Sequence, residues 1–172
     1  MASLMENLID VLEKESEEYR TLLELSMRKT PVIVSENLEE LAKITDEEQL
    51  IVDRINHLDN IRNEAVNDIA NVLNKDVTKL KITDLIKMLD SRPEEQRLLA
   101  AAFDKLRDVV QNVARVNEQN RELIQSALEM VQFNMNLIHS VKAAPETANY
   151  NRGAYNTGDV IGINRKSFDA KQ

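Results

Sequence analysis

The chain has 172 residues, a formal net charge of -8, 42% hydrophobic and 3% aromatic residues, no Cys and no Trp, and only three Gly and three Pro. The glycines, Gly153, Gly158 and Gly162, all lie near the C-terminus. A β-sandwich, a Rossmann fold or a phosphate loop therefore lacks the residues that would make its turns, and long helices remain.

The charge is uneven. Residues 143–172 carry Arg152, Arg165, Lys166 and Lys171 against Glu146, Asp159 and Asp169, so the acidity belongs to residues 1–142. An acidic body is a poor nucleic-acid binder. No apolar run approaches the ~20 residues that cross a bilayer, and Glu6 and Asp10 interrupt the N-terminal apolar residues, so the expectation is a cytoplasmic protein. Length suits one helical body, residues 1–142, followed by a tail, residues 143–172.

Taken in chain order, Ser3 and Glu6 have capping-box spacing, and Leu4, Leu8, Val11, Leu12, Tyr19, Leu22 and Leu23 follow at helical intervals. The first helix is expected over about 3–29, ended by Pro31, with Val32, Ile33 and Val34 as a connector and Ser35 as the next N-cap. The second helix, about 35–74, carries from Leu38 a seam through Leu41, Thr45, Glu48, Val52, Ile55, Asp59, Arg62, Val66, Ile69 and Leu73, broken by polar residues. A parallel register, Leu41, Ile44, Ile51, Ile55, Leu58, Ile69 and Val72, is at least as apolar, which predicts packing against two neighbours.

A short corner helix is expected over about 83–90. Ser91-Arg92-Pro93-Glu94-Glu95 then opens a long helix over about 92–142, since Pro suits the first helical position and acids complement the helix dipole. The predicted architecture is all-α, an elongated antiparallel helical bundle of three long helices plus a short connector.

The chemical inventory is thin. His57 and His139 have no metal-ligand partners at helical spacing and there is no thiolate, so no metal and no cofactor is expected. A phosphotransfer role for His57 lacks supporting residues. The acidic pairs Glu17-Glu18, Glu47-Glu48 and Glu94-Glu95 read as solvated faces and dipole partners, and the chain is not expected to be an enzyme.

More informative is a change of surface along the last helix. Its first half has an apolar arc of about 140°, whereas in the second half Leu123, Ile124, Leu128, Met130, Val131, Phe133, Met135, Leu137, Ile138 and Val141 spread over about 220°. Either the first and corner helices cover this excess, or it is a surface for an apolar helix of another protein. Asn117 and Asn120 interrupt the seam and read as register-setting polar positions. In the tail, Tyr150, Gly153, Tyr155, Gly158 and Phe168 look like aromatic anchors beside turn-forming glycines.

The run from Asp46 to Arg62, the Asn117-Glu-Gln-Asn120-Arg-Glu-Leu123-Ile124 segment in a long last helix, and a Tyr/Gly tail closing on Phe168-Asp169-Ala170-Lys171 together resemble the FlgN-type flagellar export chaperones. The resemblance covers nearly the whole chain. It implies a cytoplasmic all-helical chaperone without catalytic residues. Such a chaperone binds the hook-filament junction proteins FlgK and FlgL, prevents their premature assembly and delivers them to the flagellar export apparatus. The wide face from Leu123 to Val141 would then receive the C-terminal amphipathic helix of a junction protein, and Tyr150 and Tyr155 would join that clasp or dock at the export gate. The alternative from another class is a homo-oligomeric coiled-coil protein, a homodimer for instance, that uses the same face on itself.

Overall fold

A computed structural model describes residues 4–76, 78 and 80–143. It holds four helices, α1 (Leu4–Val34), α2 (Leu38–Val72), α3 (Ile82–Met88) and α4 (Pro93–Ala143), and no strand among the described residues. The chain divides into two compact units, Met1–Leu128 and Glu129–Gln172. The division between them falls within α4. None of the described helices is long and apolar enough to cross a membrane.

The first unit is an up-down-up bundle. Ion pairs set the direction of α2 against α1: Arg62 reaches Glu15, Arg54 reaches Glu18, and Glu48 meets Lys29, so numbers fall along α2 as they rise along α1. α4 runs parallel to α1, since Leu99, Ala102 and Leu106 pack with Leu8 and Leu12, whereas Val113 packs with Leu22 and Leu25. Ile69 closes the first of these clusters, and Ile44, Ile51 and Ile55 close the second. Both registers read along α2 are therefore used, the isoleucines for the core and the polar seam positions for pairs with α1.

α3 plugs one end of the bundle with Leu85 and Leu89, both buried. The Asp84 carboxylate accepts the backbone N–H of Lys81 at 3.3 Å, holding the first turn of α3. Gln96 at the start of α4 donates to the Ile86 carbonyl at 2.8 Å and to Asp90 at 3.0 Å, tying the two helices at their corner. Pro93 occupies the first position of α4, where its missing N–H costs nothing.

Two local expectations are corrected. α1 does not stop at Lys29 but runs through Pro31 to Val34. Pro31 forfeits one ladder bond, to the carbonyl of Met27, and both residues lie on an exposed stretch. Ile33 is buried and Val32 packs against the core, so burial of the last turn outweighs an interior-proline cost of about 3 kcal/mol. The supposed apolar connector is thus the end of the helix.

The second correction concerns the cap of α2, which is Asn37 and not Ser35. The Asn37 side chain accepts the N–H of Glu40 at 3.1 Å, while the Ser35 hydroxyl donates back to the Val32 carbonyl. With no glycine available, Glu36 at φ 55 and Asn74 at φ 49 take the left-handed positions that end α1 and α2. At α1, Glu36 N–H donates to Ile33 and Asn37 N–H to Val32. At α2, Asn74 N–H donates to Asn71 and Lys75 N–H to Ala70. Each is the paired arrangement that glycine usually supports.

Candidate binding surface

The interior of the first unit holds a polar layer. Asn120, 3% exposed, donates from Nδ2 to the Ser26 carbonyl at 2.8 Å and accepts at Oδ1 from the Thr30 hydroxyl at 2.6 Å. Beside it, Lys29 donates to Glu48 at 2.6 Å and the Ser26 hydroxyl to the same carboxylate at 3.3 Å. Both ends of the Asn120 amide are satisfied, so the residue fixes the register of α4 against α1 without leaving an orphaned group. Asn117, grouped with it by sequence, is exposed.

A second buried group lies nearer the α3 end. Glu15 is 1% exposed and accepts from Arg62 Nη1 at 2.9 Å, and the same guanidinium pairs with Asp59 through Nη2. Burial pushes the Glu15 carboxyl up from its ordinary value, with Arg62 opposing and Asp59 adding to the rise. Burial and the Glu15 charge push the neighbouring Tyr19 phenol up as well.

Sequence reasoning missed these partnerships. The signal was present as polar residues at seam positions of α2, namely Glu48, Asp59 and Arg62, which faced polar residues on α1. Of the acidic pairs read as solvated, Glu48 is instead half-buried against Lys29, and Glu18 pairs with Arg54 at 3.0 Å.

The carboxylates of this layer are held by arginine or lysine, and no group of three or more His, Asp or Glu side chains able to hold a metal occurs among the described residues. His57 and His139 are exposed. A cleft of about 350 Å³ beside Asn120 is lined by Leu22, Lys29, Glu48, Val52, Arg121 and Ile124, a mixture of alkyl groups and paired charges.

The residues proposed as a partner surface divide between the units. Leu123 and Ile124 are half-buried in the first unit, and Leu128 at its end is exposed. In the second unit, Met130, Val131, Phe133, Met135, Leu137, Ile138 and Val141 are all between 51% and 68% exposed.

From Met130 to Val141 the sequence contains no Asp, Glu, Lys or Arg, and the remaining surface consists of Gln132, Asn134, Asn136, His139 and Ser140. An exposed apolar face with no such charge within it is an adhesive surface. The tail residues Tyr150, Gly153, Tyr155, Gly158 and Phe168 lie outside the described residues.

The family model described as FlgN protein matches residues 1–157 of the chain. No curated protein and no solved structure matches.

Proposed function

Since this chain belongs to the FlgN family of flagellar export chaperones, we propose that it holds the C-terminal amphipathic helix of a FlgK- or FlgL-type junction protein on the face between Met130 and Val141. The observation that carries the reading is the exposure of the apolar side chains in that segment. A client helix laid on them removes apolar surface from water on both molecules, at about 25 cal/mol per Å². While bound, its apolar stripe is unavailable for assembly with other junction subunits. The chaperone acts by mass action alone, binding the client and releasing it at the export apparatus.

Phe133 is the largest side chain on the face, and aromatic anchors of this kind dominate interface energetics. Phe133→Asp and Leu137→Asp are each expected to weaken binding of a junction-protein C-terminal peptide by about 30-fold or more, read by calorimetry. Truncation after Val141 tests residues 142–172, including Tyr150 and Tyr155. Unchanged affinity in all three variants overturns the proposal. Loss in the truncation alone moves the site to the tail. Static light scattering addresses self-association: a concentration-independent monomer leaves the face free, whereas a stable dimer abolished by Phe133→Asp shows that copies of the chain occupy it.

A further inference from the structure

The apolar face of the second unit is not one stripe but two. Placing Val131 at zero and turning 100° per residue, Val131, Met135 and Ile138 fall within about 60° of one another, and Phe133, Leu137, Met130 and Val141 within about 80°. The centres of the two groups are about 125° apart, and Asn134 falls in the gap between them. Within each group the residues follow one another at intervals of three or four, the spacing of a helix-packing seam. Together they cover about 200° of the circumference, twice what one helix packing into one groove occupies.

Buried area separates the possible occupants. With more than half of each side chain exposed, each offers on the order of 100 Å². One helix on one stripe, or a second copy pairing stripe to stripe, would bury about 600–800 Å² in total, below the roughly 1,200 Å² at which specific interfaces begin. Occupying both stripes roughly doubles that figure and brings it into the standard range. The absence of any Asp, Glu, Lys or Arg from Met130 to Val141 requires the same of the occupant: helices whose contacting faces are apolar and uncharged, since a charge placed there would be desolvated without a partner.

We infer that the second unit is clasped by two helices of a single client chain at once, one on Val131, Met135 and Ile138 and the other on Met130, Phe133, Leu137 and Val141, with Asn134 marking the line between them. The inference rests on the proposed client-binding role and adds to it the form in which the client binds. Asn134 lies at the junction of the two seats, where its amide can meet backbone groups of either helix and so discourage a single helix from straddling both stripes.

The chain contains no cysteine, so single reporters can be placed without background. Met135→Cys, Leu137→Cys and Asn136→Cys, three consecutive positions, sample one stripe, the other stripe and the amide side of the helix. Each full-length variant is labelled with a benzophenone maleimide, mixed with full-length FlgK-type junction protein, irradiated, and the adducts mapped by mass spectrometry. All three positions are exposed, and circular dichroism confirms that each variant folds.

The expected result is a one-to-one complex in which positions 135 and 137 label two different segments of the client, with position 136 at least fivefold weaker. A complex in which only one stripe labels the client, or both label the same segment, overturns the two-helix clasp and leaves the client-binding role standing. Adducts to a second copy, or to residues 144–172 of the same chain, overturn it by naming another occupant. Failure of the unlabelled chain to form any complex by size exclusion defeats the client-binding role itself, and the clasp with it.

Discussion

The two stretches of α4, residues 93–128 and 129–143, are both rich in aliphatic side chains and yet are different surfaces. In the first, Leu99, Ala102, Leu106, Val113, Val116 and Asn120 are buried along one stripe. Its outer face carries the ion pairs Arg97–Glu94, Arg107–Asp104 and Arg121–Glu118, each at i, i+3. In the second, apolar residues take more than half of the circumference and no Asp, Glu, Lys or Arg lies between Met130 and Val141. Apolar content alone does not distinguish a core helix from a docking helix. What does is the width of the stripe and whether charge borders it, because charge at the edge both keeps a helix in solution and limits it to one seam.

The comparison breaks most sharply on truncating a leucine in each stretch. Leu99→Ala, at a position with 0% exposure, is expected to cost about 3–5 kcal/mol in urea unfolding, transfer plus cavity. Leu137→Ala is expected to stay within about 0.5 kcal/mol while weakening the client. Equal losses at the two positions would mean that the second stretch is core. The asparagines give the next contrast: Asn120→Ala removes its bonds to the Ser26 carbonyl and the Thr30 hydroxyl, leaving these two the 3.3 Å bond between themselves, and should cost about 1–3 kcal/mol, whereas exposed Asn117→Ala should be nearly neutral.

The buried carboxylate of the first unit gives a pH signature. Burial raises the Glu15 pKa above its ordinary value, so the folded state holds the proton more tightly than the unfolded chain. The resulting stability is fully present below the unfolded pKa and lost as pH rises through the folded one. Relative to Glu15→Gln, the wild type should therefore gain stability as pH falls from 7 toward about 4.5, read from paired urea titrations. Parallel curves would show that Arg62 fully offsets the burial. The smallest effect belongs to the loop after α1, where Glu36→Gly relieves a left-handed φ of 55. It should stabilise by about 0.5–1 kcal/mol in thermal unfolding, and a loss there would place the Glu36 side chain in a contact worth more than its backbone cost.

Much of this was legible along the chain. Leu8 and Leu12 fall on one helical stripe by spacing alone, and Pro93 opens its helix because a first-turn proline loses no hydrogen bond. The end of α1 was misread because local rules weigh Pro31 without weighing the burial of Ile33 beyond it. Asn117 and Asn120 looked alike in the seam, and only the position of Ser26 and Thr30, some ninety residues away in sequence, separates them.

The sequence by itself determined that the chain is helical, that the turns before Gly153 must be made without glycine, and that one stretch of its last helix is too apolar and too poor in charge for a single packing seam. These follow from periodicity and composition, which are properties of neighbours along the chain. Only the tertiary structure decided which polar residues are buried and with whom. Glu15 with Arg62, Lys29 with Glu48 and Asn120 with Ser26 and Thr30 are pairings across helices, and burial of a polar group is tolerated only where a partner from another element meets it.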